Sequence, residues 1–282
     1  MGVQRVILAR ELSIEEIARI ARFTTVELEV FVHGAMCISY SGQCLASESL
    51  WGRSANRGVC AQACRLPYRL VVDGQAVEAG DRAYPLSAKD LAAWDLIPQL
   101  LAVGVKGFKI EGRLKGSHYV AAATSAYRQA IDAAKVGRRF SLGREREAML
   151  SQSFSRGFTH GFLDGDRHQD LVDGRFPNSR GVDVGRVVGR TRRGVLVELR
   201  PEMAVPLKPG DGVLFDAGLP EQGEQGGRIY AVESAGRSEL PGGRWATRVE
   251  LRFGRGDVNV AAVASGSVVW KTDDPAVRRE LE

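Results

Sequence analysis

The chain has 282 residues, of which 44% are hydrophobic and 26% are charged, and its formal net charge is +5. This composition is ordinary for a globular protein of one large or two smaller domains, and it excludes a small fold that depends on disulfides. The mild basic excess fits a nucleic-acid or anionic partner, but a solvated surface of mixed charge explains it as well. No stretch resembles a signal peptide or membrane span, so we expect a cytoplasmic protein without a membrane partner.

The first part of the chain predicts a strand, a helix and a second strand. Val3 to Leu8 is a short β-rich run. Ser13 and Glu16 fit a capping box, and apolar residues recur on one face of the segment that they open. Glu27 to Val32 is again β-rich. The order strand–helix–strand is typical of a βαβ unit with a parallel pair of strands.

All four cysteines of the protein fall within 28 consecutive positions directly after this second strand: Cys37, Cys44, Cys60 and Cys64. In a reducing cytosol, such a group favours metal or cluster ligation over disulfides. Zinc sites usually contain C-x2-C pairs, and the spacing here is C-x6-C-x15-C-x3-C. We therefore expect the four cysteines to hold a [4Fe–4S] cluster, with a zinc ion as the alternative.

The sequence after the cysteines predicts a hairpin, a helix, a strand and a long helix. The Asp-Gly pair at 73–74 is a signal for a type I′ turn. Ser87 is predicted to cap a helix that runs from Asp90 to Leu101. Gly107 to Ile110 is predicted as a strand, and a helix is predicted from about Ser117 to Ala134.

Charged and polar residues stand where each predicted parallel strand ends. Arg10 and Glu11 follow the first strand, His33 follows the second, and Glu111 and Arg113 follow the third. Carboxyl ends of parallel strands carry the binding residues in α/β folds, so we predict His33, Glu111 and Arg113 as catalytic and Arg10 and Glu11 as substrate-binding. The alternatives are a structural histidine and charges that pair with one another.

Three arginines share the cysteine loop with aromatic and amide side chains. Arg53, Arg57 and Arg65 lie near Trp51 and Asn56, and basic groups beside an aromatic ring can bind phosphate and stack a base. We assign these arginines to substrate binding. The alternative is that they support an irregular loop through contacts to backbone and sulfur.

From residue 177 onward, glycine-rich turns separate short β-rich runs, and helical periodicity disappears. This pattern predicts a small antiparallel barrel or sandwich of about six strands in residues 180–282, joined by a linker at 166–179 to a first domain at 1–165. Only three strands of βα type are predicted before this antiparallel domain. Three parallel strands leave exposed edges, so we expect missing strands from a larger barrel or from another chain.

Several phrases of the sequence together are family-specific: ELEVFVHGAMCISYSGQC, NRGVCAQACRLPY, LSAKDL, FKIEGRLK and FSRGFTHGF. They resemble the U32 peptidase family, the collagenase-like proteases. The resemblance implies a partial TIM-type (βα) barrel that lacks the family's first units. It also implies a small β-barrel similar to the second domain of elongation factors.

The family name implies proteolysis of a protein or peptide substrate, but similar members are hydroxylation proteins for 23S rRNA or for wobble uridine of tRNA. Those members use an iron–sulfur cluster held by cysteines, and the RNA branch draws on prephenate, a small carboxylate co-substrate. By this resemblance, the four cysteines match the family's cysteine positions and His33 matches the His-Gly element that opens the motif.

Three functions remain as expectations. The first is iron–sulfur-dependent hydroxylation of an rRNA or tRNA base. The second is peptidase activity. The third is an RNA-binding module that a cluster or a zinc ion stabilises and that performs no turnover.

Overall fold

The computed structural model describes residues 2–112, 115–203, 205–218 and 223–281, with side chains up to residue 279. The chain forms two compact units, Met1–Leu142 with Arg156–Pro177, and Gly143–Ser155 with Asn178–Glu282. Among the described residues, every helix is too short or too polar to cross a membrane.

The first unit contains seven strands and four α-helices among its described residues. The strands are β1 (Arg5–Ile7), β2 (Glu27–Ala35), β3 (Val71–Val72), β4 (Gln75–Ala76), β5 (Asp90–Ala92), β6 (Gly107–Ile110) and β7 (Phe158–Thr159). The helices are α1 (Ile14–Arg22), α2 (Ala46–Trp51), α3 (Ile97–Ala102) and α4 (Ser117–Lys135).

Strand β2 is the centre of a mixed five-stranded sheet. It pairs in parallel with β1 and, on its other edge, in parallel with β6. Beyond β1, the end of β2 pairs antiparallel with β5, which in turn pairs in parallel with β7. His33 therefore has Ala92 of β5 on one side and Ile110 of β6 on the other. The predicted α/β class and the parallel β1–β2 pair are confirmed.

Two local predictions are confirmed by the geometry of the chain. The Ser13 hydroxyl accepts from the Glu16 amide at 3.3 Å, and the Glu16 carboxylate accepts from the Ser13 amide at 2.9 Å, which is the capping box of α1. Asp73 and Gly74 both have positive φ, 50° and 78°, as a type I′ turn between β3 and β4 requires.

The prediction of a helix from Asp90 to Leu101 is wrong. Residues Asp90–Ala92 form β5, a 3-10 turn follows, and the helix is confined to Ile97–Ala102 with Pro98 in its first turn. A proline is harmless there, because the first amides of a helix have no partner within it. Ser87 caps no helix, and instead its hydroxyl accepts from Arg65 at 2.7 Å. With β5 and β7, the sheet has two strands more than the three that the sequence predicted.

Gly34 sits where β2 closely approaches the chain after β6. Its φ is +101°, and a Cβ atom there would stand 2.1 Å from the carbonyl oxygen of Glu111 and 2.9 Å from the hydroxyl of Tyr119. That hydroxyl donates to the same carbonyl at 2.7 Å. The His-Gly pair of the motif thus combines a buried imidazole with the only residue type that permits this approach.

We expect Gly34→Ala to lower the free energy of unfolding by at least about 2 kcal/mol, because it adds a backbone clash to an unfavourable φ. Gly42→Ala is the matched control, since Gly42 also has positive φ, +77°, but has no atom within 4 Å of an added Cβ. The control is expected to cost about 1 kcal/mol. If chemical denaturation shows equal losses of unfolding free energy for the two variants, the close approach at Gly34 does not contribute to the cost of the substitution.

The second unit is built on an antiparallel sheet. Its strands are β8 (Val182–Arg190), β9 (Gly194–Leu199), β10 (Gly212–Asp216), β11 (Gln225–Leu240), β12 (Arg244–Phe253) and β13 (Val268–Asp273), and its helices are α5 (Arg144–Ser153) and α6 (Pro275–Leu281). The strands pair in the closed order β10-β11-β12-β9-β8-β13 around a buried aliphatic core. The predicted separate antiparallel sheet is confirmed.

Helix α5 belongs to this second unit. It contacts β8 and β13, so Gly143–Ser155 groups with the barrel although the sequence placed these residues in a first domain ending at residue 165. The grouping depends on contacts between residues that are far apart in the sequence, so no local sequence pattern predicts it.

Candidate functional site

The ends of β1, β2 and β6 come together, as the sequence predicted, and Arg10 joins them. Its guanidinium donates to the carbonyl oxygen of Ala35 and, at 3.1 Å, to the carboxylate of Glu111. It also lies 4.0 Å from the ring centroid of Phe31. Both side chains of the Arg10–Glu111 pair are partly exposed, so they form a charged rim at this edge of the sheet.

Glu11 anchors the start of the cysteine loop. Its carboxylate accepts from the amide and from the hydroxyl of Ser41, both at 2.9 Å. This contact fixes the segment between Cys37 and Cys44 against the end of β1. Arg113, predicted as catalytic, lies outside the described residues.

His33 is enclosed by aromatic rings at the end of β2. Only 1% of the residue is exposed, and the ring centroids of Tyr127, Tyr119 and Phe158 lie 5.5, 5.8 and 5.9 Å away. Burial lowers the pKa of His33 to about 4, against a smaller opposing effect of the Asp90 charge. His33 is therefore a neutral imidazole at neutral pH.

Asp90 and Arg156 form a buried ion pair beside His33 that the sequence analysis missed. Nε of Arg156 and its backbone amide donate to Oδ2 of Asp90 at 3.3 and 2.9 Å, and Nη2 donates to Oδ1. Both side chains are almost fully buried. One indication of this pair was present in the sequence, the charged Asp90 at the start of the apolar run DLAAWDLI. The partner of Asp90 lies 66 positions away in the sequence.

The same ion pair influences two residues around the end of β6. Burial and the Arg156 charge lower the pKa of Lys115 to about 8, while Asp90 opposes this shift. Burial, with the charge of Asp90, raises the pKa of Tyr119. The strand ends thus carry a compact group of ionisable side chains, larger than the set that the sequence suggested.

The four cysteines are free thiols that share one neighbourhood. Cys37 is exposed and the other three are half-buried. Burial raises the pKa of Cys64, the charge of Arg65 opposes that shift, and the charges of Cys37, Cys60 and Cys44 add to it. Cys64 is therefore within electrostatic range of the other three cysteines, although the four span 28 residues of sequence.

Backbone and hydroxyl groups hold Cys60 in position within this loop. Its Sγ accepts from the amide of Gln62 at 3.3 Å and lies 3.9 Å from the hydroxyl of Ser47. Gln62 takes a left-handed conformation with φ 60°, which turns its amide toward the sulfur. Earlier in the loop, the amide of Cys44 donates to the Asn56 side chain at 3.2 Å.

Arg65 braces the cysteine loop against the segment before β5. It donates to the hydroxyl of Ser87 at 2.7 Å and to the carbonyl oxygens of Ala88 and Met36. All these partners are neutral, so in the described part of the chain this largely buried cation hydrogen-bonds to no carboxylate. These contacts agree with the alternative that Arg65 supports the irregular cysteine loop.

Arg53 and Arg57 have a different environment. Both are exposed, and Trp51 and Tyr40 on the same loop are 48% and 65% exposed. These two arginines and two rings are therefore accessible from solvent, whereas Arg65 is only partly exposed.

The sequence is similar to those of known proteins. The model of the family described as "Peptidase family U32" matches residues 1–173. The chain belongs to peptidase family U32. No solved structure matches it.

Relatives of this U32 chain carry two kinds of name. It is 37% identical over 246 residues to the 23S rRNA 5-hydroxycytidine C2501 synthase of Escherichia coli, covering 85% of this chain and 36% of that protein. It is 44% identical over 137 residues to tRNA hydroxylation protein P1 of Bacillus subtilis, covering 47% and 32%. It is 40% identical over 144 residues to a collagenase of Porphyromonas gingivalis, covering 50% and 39%. The chain thus spans about a third of the length of the first two.

The surroundings of the thiols in this U32 chain bear on which group they could hold. Among the residues that the structure describes, no three His, Cys, Asp or Glu side chains stand close enough together to hold one metal ion. A [4Fe–4S] cluster is larger than a zinc ion, so its four thiolates stand farther apart. The charge of Arg65 near Cys64 and the amide that donates to Cys60 would both favour the thiolate form.

His160 lies between two carboxylates on the same unit. Its Nε2 is 3.0 Å from Asp95 and its Nδ1 is 2.5 Å from Asp164. The hydrogen bond to Asp95 is the largest cause that raises the pKa of His160 to about 9. The imidazolium therefore ties the chain after β7 to the turn before α3 at neutral pH.

We expect this contact to stabilise the fold fully below about pH 6.5, the ordinary pKa, and to lose its contribution as pH rises through about 9. His160→Gln should therefore lower the free energy of unfolding at pH 6.5 by about 1 kcal/mol, since the groups are partly exposed and solvent screens them. Near pH 10 the variant and the parent should differ little. A constant difference across this range in urea denaturation would contradict the assignment.

Proposed function

We propose that this U32 chain takes part in iron–sulfur-dependent hydroxylation of an RNA base. The observation that carries the proposal is that Cys37, Cys44, Cys60 and Cys64 lie in one loop after β2, where the other three cysteines and the Arg65 cation all influence the pKa of Cys64. The names of the relatives that act on 23S rRNA and tRNA support an RNA substrate. A [4Fe–4S] cluster bound there would supply the redox chemistry that amino-acid side chains lack.

The residues around the cysteines would bind and orient the substrate. Arg53 and Arg57 are exposed and can contact phosphates, and the exposed ring of Trp51 can stack a base. The charged rim of Arg10 and Glu111 would border the site. These contacts would give affinity that depends on salt, because phosphate binding releases counterions.

The cations next to Asp90 suit a small carboxylate co-substrate such as prephenate. Lys115 and Arg156 lie at the strand ends, and the charge of Arg156 already disfavours a second cation at Lys115. An incoming carboxylate near Lys115 would relieve this repulsion, while Arg156 stays paired with Asp90.

At the level of the fold, we propose that β1, β2 and β6 belong to a TIM-type barrel and that the second unit acts like the second domain of elongation factors. Parallel pairing of these three strands supports the first statement. Closure of six antiparallel strands supports the second. We also propose a cytoplasmic location, which would keep the thiols reduced.

Peptidase activity is the second candidate, and the 40% identity to a protein named collagenase favours it. In that case the neutral imidazole of His33 would be the general base and the cysteine loop would have a structural role. The third candidate, an RNA-binding module held by a cluster or zinc, would share the exposed surface at Arg53 and Arg57 and lack turnover.

Anaerobic purification of the chain, followed by iron, sulfide and zinc analysis, tests the proposal. We expect a brown protein with about four iron and four sulfide ions per chain. Incubation with rRNA or tRNA and a reductant, with and without prephenate, followed by nucleoside mass spectrometry, would then reveal a hydroxylated base. A colourless protein with one zinc ion would contradict the cluster, and cleavage of gelatin by the iron-free protein would favour the peptidase.

A further inference from the structure

The phenolic hydroxyl of Tyr127 makes three contacts at the end of β2. Its oxygen lies 2.5 Å from the carbonyl oxygen of Val32, 2.9 Å from the amide nitrogen of Ala93, and 3.3 Å from Nδ1 of His33. A phenol has one proton to donate and two lone pairs that accept. The three contacts therefore determine where the protons lie.

The Tyr127 proton must point at Val32, because a carbonyl oxygen has no proton of its own and is the nearest acceptor. The amide of Ala93 can only donate, and its proton is shared between the Val32 carbonyl oxygen at 3.0 Å and one lone pair of the phenol at 2.9 Å. The remaining lone pair faces Nδ1 of His33, and this contact is favourable only when Nδ1 carries a proton.

The other nitrogen of His33 is then left without a proton. The imidazole is neutral because it is buried, and a neutral imidazole carries a single proton. Among the residues that the structure describes, none hydrogen-bonds to Nε2. Of the charged groups in the described residues, only Asp90 shifts the pKa of the ring, and its effect is smaller than that of burial.

We propose that Tyr127 is a positioning residue that holds His33 as the Nδ1–H tautomer, so that Nε2 presents a lone pair to an N–H or O–H group of the substrate. The rings of Tyr119 and Phe158 fix the plane of the imidazole, so the lone pair has one direction. With 1% of His33 exposed, Nε2 is shielded from bulk water. This inference deepens the proposed function and concerns the same site.

Long-range ¹H–¹⁵N NMR of the imidazole groups tests the tautomer directly in the full chain. The sequence contains four histidines, and His33→Asn identifies the His33 signals by their disappearance. His160 serves as an internal reference with both nitrogens protonated at neutral pH. We expect a protonated shift at Nδ1 of His33 and an unprotonated shift at Nε2, both constant between about pH 5.5 and 8. A proton on Nε2, or a doubly protonated ring, would overturn the proposal.

Tyr127→Phe should move the His33 population toward the Nε2–H form. The substitution also removes one hydrogen bond each from the Val32 carbonyl and the Ala93 amide, which keep the 3.0 Å bond to each other, so thermal unfolding is measured alongside. If the variant does not fold, the spectrum of the parent protein still decides the tautomer. A folded variant with unchanged His33 shifts would show that Tyr127 does not set it.

Two substitutions of His33 separate the two nitrogens. Asparagine places its amide near Nδ1 and keeps the donor to Tyr127, whereas glutamine places a polar acceptor near Nε2. We expect His33→Asn to lower turnover by about 100-fold and His33→Gln by clearly less, with equal iron content and RNA binding in both. Equal losses of turnover in the two variants would overturn the role of Nε2. If the parent has no RNA activity at all, the proposed function fails, but the NMR result on the tautomer stands.

Discussion

Cys60→Ser is expected to bleach the protein and to lower its iron content from about four ions per chain to well below that value. A serine hydroxyl is a hard, weakly acidic donor and replaces a thiolate poorly as a ligand for iron. RNA hydroxylation should fall by at least about 100-fold, because the proposed cluster would need all four thiols. Iron and sulfide analysis, visible absorbance and nucleoside mass spectrometry measure the three effects.

The fold itself should tolerate this change. A serine at residue 60 can still accept from the Gln62 amide, the contact that holds the sulfur in place. Ser49→Ala, on the exposed side of α2, is the control in the same loop and should keep colour and activity. Full iron content in Cys60→Ser would remove this cysteine from the ligand set, and gelatin cleavage that survives in the bleached variant would favour the peptidase.

Lys271→Met is expected to be the most destabilising single change in the second unit. Lys271 is fully buried, and its Nζ lies 2.7 Å from Asp211 and 2.6 Å from Asp274. It also donates to the carbonyl oxygen of Pro206 at 3.2 Å. Removing the cation leaves two buried carboxylates without their partner, which costs about 3–5 kcal/mol. Urea denaturation followed by fluorescence measures this loss.

The matched controls separate the ion group from ordinary packing. Lys208→Met removes an exposed lysine near the same turn and should change the free energy of unfolding by less than about 0.5 kcal/mol. Combining Lys271→Met with Asp211→Asn and Asp274→Asn should recover part of the stability, because neutral amides replace the buried charges. If Lys271→Met alone costs no more than the exposed control, the buried ion group does not stabilise the barrel.

Local chemistry made several elements predictable from the sequence. The capping box of α1 depends on Ser13 and Glu16 alone, and the turn at 73–74 depends on two residues that tolerate positive φ. The strand β6 was predicted with its observed ends, and α4 ends one residue beyond the predicted range. Each of these features arises from residues within one or two turns of each other, so a short window contains the cause.

Long-range contacts explain the elements that were missed. The segment at Asp90 has helical spacing of apolar residues, yet it pairs with β2 and β7 and its carboxylate binds Arg156. Burial against partners far along the chain outweighs a weak local preference. Arg65 was assigned to substrate binding for the same reason, since nothing near it in sequence shows that Ser87 and Ala88 bind it.

The sequence alone determined which reactive groups this U32 chain carries: four thiols within 28 residues, a histidine at a strand end and arginines near an aromatic ring. Tertiary structure decided which of these groups can act. Packing buries His33 as a neutral imidazole and places Tyr127, 94 positions away, against its Nδ1. It adds the Asp90–Arg156 pair and turns Arg65 inward. Protonation state and exposure depend on neighbours in space, and the order of residues along the chain does not encode them locally.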